Sequence, residues 1–312
     1  MPEPVTLAEA ALDVAIGWPS ALYARIGHPV GLFARVIDGC ERQWNSPARS
    51  EAFRRLAGVA TVLILLLITF GTGLALEQLA FALFGSWGWV AVAVLAAPAL
   101  AQRSLYDHVA AVERALRSGD LEQGRAAVGM IVGRDTASLD EAGVARAAIE
   151  SLAESFCDGV TAPFVWLLIL GLPGVWAYKA INTADSMIGH KEARWRAFGW
   201  AAARTDDLLN LVPARLAGAL ISLASLEGWR VMMLDAGKHA SPNAGWPEAA
   251  MAGALSLRLA GPIAYDGVTH DKPWIGDGRA DADTTDIRRA LKRYVIACLC
   301  LWAIAGAIAW VR

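Results

Sequence analysis

Between residues 134 and 215 the chain carries a dense set of side chains able to do chemistry. They are Arg134, Asp135, Arg146, Glu150, Glu154, Asp158, Lys179, Asn182, Asp185, Ser186, His190, Lys191, Arg204, Asp206, Asp207, Asn210 and Arg215. Carboxylates combined with amide oxygens suit Mg²⁺, which takes oxygen ligands and keeps waters and phosphates in its remaining positions. Lysine, arginine and histidine donors suit phosphate oxygens themselves. The mixture points to phosphoryl or pyrophosphate chemistry.

Spacing sharpens the reading. On a helix Lys179, Asn182, Ser186 and His190 share one face, with Asp185 at its flank. Arg204, Asp207, Leu211 and Arg215 line one side of the next helix, with Asp206 and Asn210 beside them. Two such helices make a polar cleft holding carboxylates, amides and cations. Arg146, Glu150 and Glu154 form a third stripe at four-residue intervals, a pattern that equally suits a solvated ion-pair ladder. Asp206-Asp207 beside Arg204 also suits the start of a helix, and His190-Lys191 also suits a plain loop. The chain has no Gly-x-x-x-x-Gly-Lys-[Ser/Thr], so no P-loop holds a nucleotide. Gly-x-Ser-x-Gly and His-Glu-x-x-His are missing as well.

The elements that must position these groups are helices in a bilayer. Hydrophobic residues make up 56% of the 312 and charged residues only 19%, so the chain is neither disordered nor an ordinary soluble domain. The net charge of −2 gives no reason to expect a nucleic-acid partner. Four scattered cysteines (40, 157, 298 and 300) make no disulfide framework. Uncharged runs at 56–76, 78–102, 159–178 and 294–311 match the ~30 Å hydrocarbon core, with a weaker one at 208–226 interrupted by Arg215. Backbone in lipid must satisfy itself, so these runs are expected to be helical. The opening residues carry acids and proline and no basic leader, so no cleaved signal peptide is expected.

The expected fold is an all-α, polytopic integral membrane protein. It has about four to six membrane-embedded helices, one of them broken or re-entrant, with amphipathic cytoplasmic helices. The whole chain, 1–312, reads as a single membrane-embedded domain. Residues 1–52 form an amphipathic segment with turns at Gly17-Trp18-Pro19 and Gly27-His28-Pro29. Residues 53–102 form a transmembrane hairpin broken at Gly85-Ser86-Trp87-Gly88-Trp89. The site-bearing core is 103–226, with a helix over 103–117 and another opening at a Ser138–Glu141 capping box and running to about Ser155. A polar loop region, 227–293, and a last transmembrane helix, 294–312, complete the chain. The broken helix is 159–178, which Pro163 and Leu172-Pro173-Gly174 interrupt. Basic residues lie on both sides of it, Arg134 and Arg146 before, Lys179, Lys191, Arg194, Arg196 and Arg204 after. A helix that does not cross keeps both flanks on the cytoplasmic side.

The order of residues in this block resembles the CobD/CbiB cobalamin-biosynthesis family. The matching strings include Gly133-Arg134-Asp135-Thr136, Glu150-Ser151-Leu152-Ala153-Glu154, Tyr178-Lys179-Ala180-Ile181-Asn182 and Asp185-Ser186-Met187. Gly189-His190-Lys191, Arg204-x-Asp206-Asp207 and Pro213-Ala214-Arg215 continue them. Outside the core, His28-Pro29-Val30, Ser241-Pro242-Asn243-Ala244-Gly245-Trp246-Pro247-Glu248 and Ile275-Gly276-Asp277-Gly278 resemble the family too. The chain departs from the family's usual Gly-Asp-Pro at Trp18 and from its Glu-Asn-x-x-Asp-Gly at Ser155.

The resemblance implies an adenosylcobinamide-phosphate synthase. Such an enzyme is a ligase that joins a corrinoid carboxylate, adenosylcobyric acid, to aminopropanol or its O-phosphate, with ATP as co-substrate and Mg²⁺. On that reading Asp185, Asp206 and Asp207 hold the Mg²⁺ on the ATP phosphates, Lys179, Lys191 and Arg204 neutralise phosphoryl oxygens, and Glu150, Glu154 or His190 accepts the amine proton. Arg134, Asp135, Arg146, Asp158, Asn182, Ser186, Asn210 and Arg215 bind substrate. The setting implied is the bacterial inner membrane, with the site towards the cytoplasm and other membrane enzymes of the pathway as partners. Two rival readings stand beside it. One is a non-catalytic regulatory membrane protein of the AmpE type, which looks similar in the central region. The other is an intramembrane Mg²⁺-dependent prenyl or phosphoalcohol transferase.

Overall fold

The computed structural model describes residues 3–17, 27, 30–265, 268–270 and 272–311. The expected turns at Trp18-Pro19 and His28-Pro29 lie outside the described residues. The chain is all-α, as expected. Strands among the described residues are four pieces of two or three residues: β1 (Leu259–Ala260), β2 (Ile263–Tyr265), β3 (Val268–His270) and β4 (Trp274–Ile275). β1 pairs antiparallel with β4, and β2 with β3. Against the four to six embedded helices expected, three helical stretches among the described residues are long and apolar enough to cross a bilayer. They are Glu51–Arg117, Glu141–Ile188 and Thr284–Val311, and the chain reads as a membrane protein.

Contacts group the residues into two compact units. One comprises Met1–Ala101, Ala162–Asn210 and Ile304–Arg312; the other comprises Gln102–Thr161 and Leu211–Ala303.

The first unit contains α1 (Glu3–Ala15), α2 (Val30–Trp44), α3 (Glu51–Phe84), α4 (Gly88–Ala96), α8 (Ala162–Ile188) and α9 (Trp200–Leu209). Ser50 caps α3 by accepting from the Phe53 amide. The hairpin breaks in the 3₁₀ turn Gly85–Trp87, as expected, but its second arm is short. α4 has nine residues, or about 14 Å at 1.5 Å per residue, because Pro98 sits in the 3₁₀ turn that follows it. Ile37, Leu65, Ile181 and Phe198 centre one buried cluster, and Val92, Leu167, Leu172 and Val175 a second.

α8 is the broken helix. Gly171 has φ 68° and ψ −155°, a conformation that favours glycine, and Pro173 follows within the same helix. The break leaves the Leu172 amide without a helical partner. Glu77 on α3 accepts from it at 2.9 Å, so an acid in the last third of an apolar helix satisfies backbone that lipid could not.

The second unit contains α5 (Gln102–Arg117), α6 (Leu121–Gly129), α7 (Glu141–Phe156), the π-helical turn Cys157–Thr161, α10 (Leu211–Ser222), α11 (Leu226–Asp235), α12 (Gly245–Leu255) and most of α13 (Thr284–Val311). The cap of α7 is Asp140, not Ser138. Its carboxylate accepts from the Gly143 amide at 2.7 Å, and a full negative charge suits a helix start better than a hydroxyl. The segment 227–293 is more ordered than a loop region. α12 is almost wholly buried, because Glu248 is the only charge in its eleven residues. α13 starts ten residues before the apolar run it carries. Tyr294 on α13 packs edge-on to Phe156 at 5.5 Å and donates to the Gln102 carbonyl at 2.8 Å.

Candidate functional site

Each unit brings some of the predicted residues into a polar cluster. In the first, Asp206 on α9 is buried to 7% exposure. Its two carboxylate oxygens accept from the amides of Asn182 on α8 (3.3 Å) and of Asn210 (2.9 Å). Tyr178 in turn donates its hydroxyl to the Asn210 side-chain oxygen at 3.0 Å. The framework follows from local sequence. Pro213 has no N–H for the Leu209 carbonyl one turn back, so α9 ends there. The Trp166 indole takes up that carbonyl at 3.2 Å.

Burial pushes the Asp206 carboxyl up to about 7, and repulsion from Asp185 and Asp207 adds to it, while the Asn210 and Asn182 hydrogen bonds oppose the rise. Asp185 lies over Gly189, where a Cβ would come within 1.9 Å of its Oδ1, so only glycine fits there. Asp207 pairs with Arg204 at 2.9 Å. Burial raises the Asp207 carboxyl, and Arg204 and Lys191 oppose it.

The cluster fits a Mg²⁺–nucleotide in one respect. Two acids repel each other in a desolvated spot, a situation a divalent cation relieves. Among the described residues no three acid, histidine or cysteine side chains form a ready-made metal set. The protein would therefore supply one or two carboxylates, the number Mg²⁺ commonly takes beside phosphates.

In the second unit a cavity of about 190 Å³ is lined by Arg134, Glu150, Glu154, His239, Glu248 and Lys272, among others. Arg134 donates to Glu150 at 2.8 Å, their side chains 12% and 16% exposed. The other Glu150 oxygen accepts from the Ala260 amide at 2.9 Å. Ser151 holds the cavity wall by donating to the Ile131 carbonyl at 2.7 Å. Glu248, 5% exposed, has His239 beside it, with Nε2 at 3.7 Å. His239 Nδ1 accepts from the Ser241 amide at 3.0 Å, which leaves the neutral ring's proton on Nε2. Burial lifts the Glu248 carboxyl well above the usual range; Glu150 and Glu154 add repulsion, and Lys272 and Arg134 oppose it. Three carboxylates thus face two permanent cations, and the cavity is short of positive charge.

The sequence-predicted residues divide accordingly. Asn182, Asp185, Arg204, Asp206, Asp207 and Asn210 come together in the first unit, with Lys191 exposed nearby and Lys179 half-buried on α8. Arg134, Glu150 and Glu154 meet in the second, so the stripe of Arg146, Glu150 and Glu154 is not a solvated ladder. Several placements differ from the helical-face reading. His190 is exposed and lies beyond the end of α8 at Ile188. Arg215 is not on the helix of Arg204, because α9 stops at Leu209 and α10 begins at Leu211. It bonds the Leu211 carbonyl and Asn243 and covers the Trp246 ring at 4.5 Å. Arg146 reaches the Ala280 carbonyl and the Trp274 ring. Asp135 caps the Ala137 amide in an exposed turn. Ser186 bonds back to the Asn182 carbonyl at 2.9 Å, and Asp158 sits in the π-helical turn. Three titratable cavity residues have no counterpart among the predicted ones: His239, Glu248 and Lys272. The signal for Glu248 was a lone acid in an alanine- and glycine-rich run.

The family model described as CobD/Cbib protein matches residues 6–294. The "Cobalamin biosynthesis protein CobD" of Rhodobacter capsulatus is 49% identical over 304 residues, covering 96% of this chain and 94% of the relative. Its namesake in Sinorhizobium sp is 49% identical over 310 residues, 96% of each chain. That of Brucella anthropi is 48% identical over 291 residues, 90% of this chain and 88% of the relative. No solved structure matches the chain. With nearly its whole length matched by the family model and by relatives about half identical to it, the chain belongs to the CobD/Cbib family.

Proposed function

We propose that this chain is a cobalamin-biosynthesis ligase, an adenosylcobinamide-phosphate synthase of the bacterial inner membrane working on the cytoplasmic side. It joins a corrinoid carboxylate to aminopropanol or its O-phosphate at the cost of ATP. The observation that carries the reading is the small cavity with buried Glu248 and a shortage of positive charge. It suits a primary ammonium, with Arg134 and Lys272 available to an anionic group on the same small molecule.

The chemistry sets the requirements. A carboxylate does not acylate an amine, so its oxygen attacks the terminal phosphorus of ATP and ADP leaves. The amine nitrogen then attacks the acyl carbon, phosphate departs with the bonding pair, and the nitrogen gives its extra proton to a base. Glu150, Glu154 and Glu248 bind the ammonium, and an unpaired carboxylate among them takes the proton. Asp206 and Asp185 would hold the Mg²⁺ of the nucleotide, which would supply charge neutralisation at the phosphates. Lys179, Lys191 and Arg204 offset charge on the phosphoryl oxygens.

The test is amide formation by purified protein given adenosylcobyric acid, the amine, ATP and Mg²⁺, omitting each in turn. Product should require all four. Asp206→Asn should lower turnover by about 10²-fold or more, the range for losing one charge-stabilising group, and should also abolish thermal stabilisation by Mg²⁺–ATP. Product formed without ATP would refute the ligase reading. Stabilisation by Mg²⁺–ATP with no amide under any condition would favour the regulatory reading.

A further inference from the structure

A second cavity, of about 390 Å³, lies in the second unit where the end of α10 meets the start of α13. Its lining includes Leu220, Ile221, Leu223, Arg289, Lys292 and Arg293, and no acid. Arg289 is half-neutralised by Asp286 at 3.1 Å, an acid that Arg279 also engages. Lys292 and Arg293 have no carboxylate partner among the described residues. Arg293 lies at the cavity wall, its guanidinium 3.5 Å from the Ile221 carbonyl. The residue after it, Tyr294, opens the uncharged run that carries α13 to its end. Ile296 and Leu299 on α13 and Leu223 and Leu226 beside α10 are exposed, so apolar surface flanks the basic group.

Cations at the junction of a polar and an apolar helix segment stand at headgroup depth in a bilayer. A hydrated anion would find the two donors but would leave the leucine and isoleucine surface uncovered. A ligand with a phosphate and acyl chains satisfies both. We propose that this cavity binds the headgroup of an anionic phospholipid, with Lys292 and Arg293 on the phosphate and the acyl chains along Leu223 and Ile296. The site is independent of the ligase reading.

The experiment compares phosphatidylglycerol and phosphatidylcholine binding to the full-length protein in detergent by native mass spectrometry. Glycerol 3-phosphate serves as the soluble probe. Wild type should prefer phosphatidylglycerol by at least about ten-fold, each basic residue contributing roughly five-fold. Lys292→Gln should lose about five-fold of that preference and Lys292→Arg should keep it. Lys292 is exposed and has no ion-pair partner among the described residues, so neither variant threatens folding; Arg293→Gln, with its unfolding curve recorded alongside, gives the second reading. Equal binding of the two lipids, an undiminished preference in Lys292→Gln, or glycerol 3-phosphate binding as tightly as the lipid would overturn the proposal.

Discussion

The Arg134–Glu150 pair is the residue on which the amine cavity leans hardest. Arg134→Gln leaves Glu150 with the Ala260 amide alone in a largely enclosed wall, and breaking such a pair costs roughly 3 kcal/mol. Chemical unfolding in detergent should show that loss, with Arg134→Lys intermediate because a lysine keeps the charge and loses the fork. Glu248 makes a prediction in pH. Its folded carboxyl holds its proton well above 4.5, the value of the unfolded chain. Unfolding therefore releases a proton over that window, and stability falls as pH rises from about 4.5 towards the raised folded value. Glu248→Gln should flatten this slope and raise the melting temperature at neutral pH while impairing amide formation. Asp206 and its two asparagine partners were legible in the sequence because helical periodicity forces residues four apart together, and Asn182 stands in the adjoining apolar helix. Glu248, His239 and Lys272 were not, since they reach Glu150 from segments about 90 to 120 residues away, with only turn signals between.

Among the elements, α8 shows how far local rules carry. Pro173 announces a break, and the break is there. What proline cannot announce is the group that repairs it, which sits on α3 nearly a hundred residues earlier. Glu77→Ala should destabilise the protein by about 1–3 kcal/mol, the penalty for a buried amide without an acceptor. Glu77→Gln should recover most of it, because the amide oxygen still accepts; thermal unfolding of the two variants side by side decides this. Equal destabilisation would show that charge, not hydrogen bonding, is what α8 needs from Glu77. The misread elements share one cause. The 227–293 segment has many Gly, Pro and Asn turn signals, and these mark the ends of helices as readily as the interior of loops. α12 was hidden between two of them.

At the scale of the whole molecule the hydropathy of α3 dictates the environment. Leu67 is 77% exposed in the middle of a 34-residue helix, an arrangement that only lipid makes favourable. Leu67→Arg should cut membrane insertion, since one arginine at mid-helix costs about 2.5–3.5 kcal/mol, while Leu67→Phe should insert normally; alkaline extraction of membranes followed by immunoblotting separates the two. The count of spanning helices was the least legible feature, because an uncharged run such as 78–102 satisfies the length rule while Pro98 cuts its helix short. The path of the backbone has a final consequence for synthesis. It starts the first unit, crosses to the second, returns, crosses again, and ends with Ile304–Arg312 back in the first. A ribosome that has delivered the opening hundred residues has completed neither unit, so the nascent chain must wait, partly inserted, for segments still to be translated. Translation that stops early leaves both halves unfinished, and a quality-control protease would see exposed surface from each.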